Sequence, residues 1–140
     1  MKSFVFDASI ILNYLFAESK DVKILLTKIL KQAQANQVKL LSTSFLPIEV
    51  ANGLRFKLKD SALAQRVLLG FMALPITYHQ LSDSQLLQTT KSAYAMGTTI
   101  YDTAYHILAI SHGATFLTCD NKYYKQARKL GDIKLYGQSK

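Results

Sequence analysis

The segment Phe4-Val5-Phe6-Asp7-Ala8-Ser9 decides the fold, because a short apolar run ends there at an acid. Three apolar residues in succession predict a buried strand, and the acid and small residues after them predict a turn into a helix. Ser9 is a candidate N-cap for that helix, which carries apolar residues between Ile10 and Leu15. The chain therefore begins with a strand followed directly by a helix.

The rest of the chain repeats this alternation. Strands are predicted over residues 4–6, 38–41, 74–77 and 115–118, with a candidate fifth strand over 133–135. Helices are predicted over residues 9–15, 21–34, 45–58, 61–71, 82–96, 100–111 and 121–130. The alternation indicates an α/β fold with a central, mainly parallel sheet of four or five strands flanked by helices. Ligands of such sheets bind beyond the carboxyl ends of the strands.

Length and charge narrow the functional classes. A chain of 140 residues predicts a single domain spanning residues 1–140. The 17 basic and 9 acidic residues give a net charge of +8, which favours either solubility or a polyanionic partner. The single cysteine, Cys119, excludes an internal disulfide and fits a cytoplasmic protein. No apolar stretch predicts a signal peptide or a membrane span, so no membrane partner is expected.

Four of the nine acids lie among apolar neighbours, namely Asp7, Glu49, Asp102 and Asp120. A carboxylate drawn toward the interior needs a cation or hydrogen bonds to compensate it. Each acid also has a separate structural explanation. Asp7 and Asp120 can cap the helices that follow them, Asp102 can form a capping box with Thr99, and Glu49 can face water from its helix. A capping role does not prevent the four acids from forming one site, because an acid that caps the helix after a strand already lies at the ligand-binding edge of the sheet.

A cluster of carboxylates is the type of site that Mg²⁺ or Mn²⁺ prefers. The lone cysteine and three scattered histidines show no zinc spacing. Divalent ions relieve repulsion between carboxylates, activate water and stabilise charge on a phosphoryl group. The four acids aside, five acidic residues remain against 17 basic ones, so the surface suits a phosphate backbone. The combination predicts a metal-dependent nuclease.

Four segments in this order resemble PIN-domain nucleases, and among them the toxins of VapBC toxin–antitoxin pairs. The segments are Phe4-Val5-Phe6-Asp7-Ala8-Ser9, Ser44-Phe45-Leu46-Pro47-Ile48-Glu49-Val50, Tyr101-Asp102-Thr103-Ala104-Tyr105 and Phe116-Leu117-Thr118-Cys119-Asp120-Asn121-Lys122-Tyr123. The resemblance implies a PIN-like three-layer α/β/α fold and cleavage of RNA by water that Mg²⁺ or Mn²⁺ activates. It makes Asp7, Glu49, Asp102 and Asp120 the catalytic metal ligands.

The resemblance also implies supporting residues and partners. Ser9 and Thr118 stand where the family carries small hydroxyl residues that support the acids, and Asn121 is a further candidate. The implied partners are an RNA substrate, a cognate antitoxin protein and a second copy of the chain, as a homodimer. Independently of the resemblance, Arg55, Lys57 and Lys122 lie near the acids in sequence and are candidate contacts to nucleic acid.

Two other functions remain open. The chain can be a PIN nuclease of RNA maturation or decay outside any toxin pair, or a non-catalytic RNA-binding module. A phosphatase of the haloacid-dehalogenase type also places an acid after its first strand, but it needs a second acid two residues later. Ser9 occupies that position, which argues against the phosphatase.

Overall fold

The computed structural model describes residues 1–138, which contain five strands and seven α-helices. The strands are β1 (Lys2–Phe6), β2 (Val38–Thr43), β3 (Thr77–His79), β4 (Thr115–Thr118) and β5 (Ile133–Leu135). The helices are α1 (Ala8–Leu15), α2 (Lys20–Gln34), α3 (Leu46–Lys57), α4 (Ser61–Met72), α5 (Asp83–Met96), α6 (Ile100–Ser111) and α7 (Asn121–Ala127), and a 3₁₀ turn follows at Arg128–Leu130. Within residues 1–138, no helix is both long and apolar enough to cross a bilayer.

The sheet is parallel throughout, in the order β3-β2-β1-β4-β5. Right-handed crossovers place α1 to α4 on one face and α5 to α7 on the other. The contacts between helices agree with this assignment to two faces, because α1 contacts α2 and α3, α3 contacts α4, and α5 contacts α6. The predicted three-layer α/β/α fold is thus confirmed. The wholly buried side chains of Phe6 and Phe116 lie in the core on either side of the sheet.

The strand order changes direction between β1 and β4. The chain runs outward from β1 to β2 and β3, returns to the other side of β1, and continues through β4 to β5. Connections that leave β1 and β4 in opposite directions open a crevice at the carboxyl ends of these two strands. This switch point is where ligands bind in sheets of this kind.

Helix capping differs from the sequence prediction at α1. Asp7, rather than Ser9, is the N-cap, and its carboxylate accepts a hydrogen bond from the backbone N–H of Ile10 at 3.0 Å. Ser9 lies inside the first turn and donates its hydroxyl to Asp7 at 2.6 Å. The prediction of Ser9 as the cap was wrong, because the acid at the strand end already satisfies the free N–H.

Strands β1 and β2 are each two residues longer than predicted, and two other elements differ more. The third strand is Thr77–His79 and not residues 74–77. Pro75 lacks a backbone N–H for a ladder, and Leu74 and Ile76 instead pack against the core from the connection before the strand. The last predicted helix, residues 121–130, ends as an α-helix at Ala127 and closes with the 3₁₀ turn.

Candidate metal centre

The four acids singled out in the sequence all lie at the carboxyl-end edge of the sheet. Asp7 directly follows β1, and Asp120 lies two residues beyond the end of β4, so they stand on the two sides of the switch point. Glu49 is in the first turn of α3, which follows β2. Asp102 is in the first turn of α6, and this helix runs back toward the start of β4, so its first turn lies at the same edge.

Asp102 is the acid that links the others electrostatically. Burial is the main reason that the pKa values of Asp7, Glu49 and Asp102 lie above their ordinary values. The charge of Asp102 adds to the rise for Asp7 and for Glu49. The charge of Asp120 adds to the rise for Asp102. Each carboxylate in this series therefore makes its neighbour harder to ionise.

Asp7 is the most buried of the four, with 6% of its surface exposed. Burial raises the pKa of its carboxyl from 3.8 to about 6, against the lowering effect of three hydrogen bonds. Oδ1 accepts from the Ser9 hydroxyl and the Ile10 N–H, and Oδ2 accepts from the Thr118 hydroxyl at 2.5 Å. These donors fill both lone-pair positions of Oδ1 and one of Oδ2, so a single position of Oδ2 is left.

Ser9 and Thr118 connect Asp7 to the end of β4. The Thr118 hydroxyl accepts from the backbone N–H of Asp120 at 3.0 Å while it donates to Asp7. The Ser9 hydroxyl accepts from the N–H of Cys119 at 2.9 Å while it donates to Asp7. Because each hydroxyl has one proton, this arrangement fixes the direction of both donors. The two hydroxyls predicted beside the acids thus tie the two sides of the switch point together.

Tyr105 is a site residue that the sequence reasoning did not single out. Its hydroxyl donates to Oε1 of Glu49 at 2.5 Å, which joins α6 to α3 across the sheet edge. Its ring stacks on Phe45 with centroids 5.2 Å apart and is 1% exposed. Burial and the bond to Glu49 raise the pKa of this phenol, so it remains a donor. The available signal was its position three residues after Asp102, on the same side of a helix.

None of the four carboxylates forms an ion pair with a side chain of residues 1–138. Within residues 1–138 the only ion pair joins Lys57 to Glu18 on the surface. In the same part of the chain, no three His, Cys, Asp or Glu side chains lie close enough together to hold one metal ion. The four acids thus share an edge as repelling neighbours and not as a closed chelating group. Their donor atoms, carboxylate oxygens without a cation, are of the kind that Mg²⁺ and Mn²⁺ take.

Three other sequence candidates lie at different distances from this edge. Lys122 is exposed and lines, with Asp102 and Asp120, a cleft of about 80 Å³. Asn121 is the exposed first residue of α7, and its side chain makes no hydrogen bond to the acids among residues 1–138. Arg55 is exposed on α3, six residues beyond Glu49 and therefore ~9 Å further along the helix.

Lys57, the remaining candidate contact to nucleic acid, is already engaged elsewhere. Besides its ion pair with Glu18, its ammonium lies 4.9 Å from the centroid of the Phe16 ring. The side chains of Lys57 and Glu18 are each about half exposed, so their ion pair contributes little to stability. A phosphate would have to compete with these contacts for the Lys57 charge.

His106 and Tyr123 have structural contacts that occupy their polar atoms. The wholly buried imidazole bonds to the Tyr123 hydroxyl through Nδ1 at 2.8 Å and to the carbonyl of Gly131 through Nε2 at 2.7 Å. A carbonyl can only accept, so Nε2 carries the proton and Nδ1 accepts from the phenol. Burial lowers the pKa of His106. Neither side chain is free to act on a substrate.

The sequence model of the PIN domain matches residues 4–129, which is most of the chain and includes all four acids. The chain belongs to the PIN-domain family. The predicted resemblance is therefore confirmed, and PIN domains are a family of nucleases. A search of curated proteins found no match.

Solved structures show the same PIN fold at low sequence identity. VapBC2 of Rickettsia felis, bound to a promoter DNA fragment, aligns with a TM-score of 0.67 at 18% identity over 96% of this chain and 97% of that one. VapBC-1 of nontypeable Haemophilus influenzae aligns with a TM-score of 0.61 at 16% identity, over 95% and 97% of the two chains. A toxin–antitoxin complex of Klebsiella pneumoniae gives 0.61 at 15%, over 93% and 94%.

Proposed function

We propose that this PIN domain is an endoribonuclease that hydrolyses RNA phosphodiester bonds and depends on Mg²⁺ or Mn²⁺. Asp7, Glu49, Asp102 and Asp120 are the proposed metal ligands. The proposal rests above all on their position, because four carboxylates that form no ion pair within residues 1–138 lie at the carboxyl edge of the sheet in a nuclease fold, two of them on opposite sides of the switch point. Burying such charges costs free energy, and a bound cation would offset that cost.

The chain's own residues would prepare the site in two ways. The Ser9 and Thr118 hydroxyls hold the Asp7 carboxylate in one orientation and leave one position of Oδ2 for a ligand. The Tyr105 hydroxyl holds Glu49 at the same edge. Supports of this kind orient metal ligands and tune their affinity. A divalent cation held there would activate water and stabilise the charge that develops on the phosphodiester.

Basic residues would hold the substrate around this acidic edge. Lys122 shares a cleft with Asp102 and Asp120, and the chain carries 17 basic residues in all. Lysine and arginine bind the phosphate backbone without regard to sequence. The acids would then act on one phosphodiester while the basic surface holds the neighbouring phosphates of the strand.

We further propose that the chain is the toxin of a toxin–antitoxin pair. The similarity in fold to chains from VapBC and other toxin–antitoxin structures extends over nearly the full length of both aligned chains. The proposed partners are a cognate antitoxin and a second copy of the chain. Four carboxylates at one edge of the sheet suit a basic side chain of the antitoxin, which would compete with the metal.

The direct test is cleavage of single-stranded RNA with and without Mg²⁺ or Mn²⁺, by wild type and by Asp102→Asn. We expect cleavage by the wild type only with the ion, and a loss of at least about 100-fold in the variant. The matched control is Asp83→Asn, an exposed acid in the first turn of α5, which should retain wild-type activity. Full activity of Asp102→Asn would refute the assignment.

Gel-shift and growth assays, together with the cleavage assay, separate the two other functions from a toxin. A non-catalytic RNA-binding module would bind the RNA in gel-shift assays but would leave it intact with every ion. A nuclease of RNA maturation or decay would cleave RNA without arresting growth when expressed. A toxin should arrest growth, and a small protein encoded beside it should relieve the arrest.

A further inference from the structure

A second cavity, whose lining includes none of the four acids, lies between α2 and the strands β1, β4 and β5. It has a volume of about 480 Å³, which is within the range of ligand sites. Lys2 and Phe4 of β1 lie on one side, Lys28 of α2 on another, and Lys134 and Tyr136, at and after β5, on the third. We call this cavity the α2–β5 groove.

The groove exists because the helices on this face, α1 on β4 and α2 on β2, do not pack against β5. Helix α2 packs against β2, while the helix that packs against β5 is α7, on the other face. Lys134 is in register with Leu117 of β4, and both line the groove. The floor between α2 and β5 therefore combines apolar side chains, such as Phe4, with polar ones, such as Thr115, and it is open on one side.

Its rim is basic and has no partner. The Lys2, Lys28 and Lys134 side chains are exposed and make no hydrogen bond or ion pair with any of residues 1–138. No acidic side chain lines the groove. Asp132, two residues before Lys134, exerts its charge on His106, which lies on the other face of the sheet. Asp21 of α2 accepts a hydrogen bond from the backbone N–H of Gly137, next to Tyr136. Three unpaired cations around one cavity attract a polyanion.

The floor offers flat apolar surfaces between these charges. Phe4 and Tyr136 both line the groove and are only partly buried. Lys2 and Lys134 lie on strands that have β4 between them, so their backbones are at least ~10 Å apart. A ligand that reaches both needs more than one phosphate. Aromatic side chains that alternate with cations along a groove are typical of single-strand binding.

We propose that the α2–β5 groove binds a short stretch of single-stranded nucleic acid, with phosphates on the three lysines and a base against Phe4 or Tyr136. The groove is separate from the acidic edge and does not take part in cleavage. It would hold a strand whether or not the acids act on it. The proposal therefore stands or falls independently of the nuclease assignment.

The test is fluorescence anisotropy of a labelled oligouridine of about ten nucleotides, in EDTA so that no cleavage occurs. We expect Lys28→Gln and Lys134→Gln each to weaken binding by about threefold or more and to reduce the log–log salt slope by about 0.7. Tyr136→Leu should weaken binding at an unchanged salt slope. Lys23→Gln removes a charge from α2 outside the groove and is the matched control.

Three outcomes would overturn the proposal. Lys23→Gln would weaken binding as much as the groove variants if only net charge mattered. Inorganic polyphosphate would displace the oligonucleotide as well as unlabelled oligouridine does if bases made no contribution. A change in sedimentation mass with unchanged oligonucleotide affinity would make the groove a contact between copies of the chain. An oligothymidine of equal length separates RNA from DNA.

Discussion

Replacing Asp7 by Asn should stabilise the metal-free protein. In the folded state, burial raises the pKa of this carboxyl from 3.8 to about 6, so the ionised form is disfavoured on folding. A shift of about two pKa units corresponds to about 3 kcal/mol. Asn keeps a carbonyl oxygen that accepts from the Ser9 hydroxyl, but its NH₂ group faces Thr118. The Thr118 hydroxyl must then rotate so that it accepts from this group instead of donating to it. The expected gain in the free energy of unfolding is therefore about 1–3 kcal/mol.

The gain should depend on pH in a defined direction. The folded pKa of Asp7 lies above the unfolded one, so its protonated form is the one that folding favours. The wild type therefore loses stability relative to the Asn variant as pH rises from about 4 to about 6. The difference should be full above about pH 7, small at about pH 4, and absent below about pH 3, where both states are protonated.

Urea denaturation in EDTA, followed by far-UV circular dichroism at about pH 8 and about pH 4, measures this difference. At about pH 8 the melting temperature of Asp7→Asn should also be higher by about 3–10 °C. Asp83→Asn, at an exposed position, should change the free energy of unfolding by less than about 0.5 kcal/mol. A less stable Asp7→Asn variant, or an equal gain at both pH values, would refute the reasoning.

Further predictions concern the residues that support the acids and the buried histidine. Thr118→Val should destabilise the fold by about 1–3 kcal/mol in urea denaturation and weaken metal binding by about 10–100-fold in calorimetry, because Asp7 loses a donor. Tyr105→Phe should keep the ring packing but raise the pKa of Glu49, so calorimetric titration should give weaker Mg²⁺ binding at about pH 6 than at about pH 8. Burial lowers the pKa of His106, so its NMR titration should fall below 6.5, and its contribution to stability should be lost as pH falls through that range.

The sequence was sufficient for the fold and for the edge at which the acids lie. Alternation of strands and helices predicted a parallel sheet, and the positions of Asp7 and Asp120 just after two strands placed them at its carboxyl edge. The third strand was misplaced because an apolar run around Pro75 has the composition of a strand but not the N–H groups of one. Local strand propensity does not show which residues of such a run form hydrogen bonds with the neighbouring strand.

The contacts between side chains could not be predicted from the sequence. The bond between Tyr105 and Glu49 joins two helices on opposite faces of the sheet, and nothing local to either residue indicates it. Likewise, the resemblance placed Ser9 beside the acids, but nothing local to Ser9 indicates its contact with the end of β4, 110 residues away. Such contacts depend on how the layers are packed, which a single sequence does not state.

The central claim is that Asp7, Glu49, Asp102 and Asp120 together bind a divalent cation. An anomalous difference map from a crystal soaked in Mn²⁺ tests it most directly. We expect a peak at the carboxyl edge of β1 and β4, within about 2.5 Å of oxygens from at least two of these acids, and no such peak in Asp102→Asn. A Mn²⁺ peak bound elsewhere on the chain, with these four carboxylates free of metal, would contradict the claim.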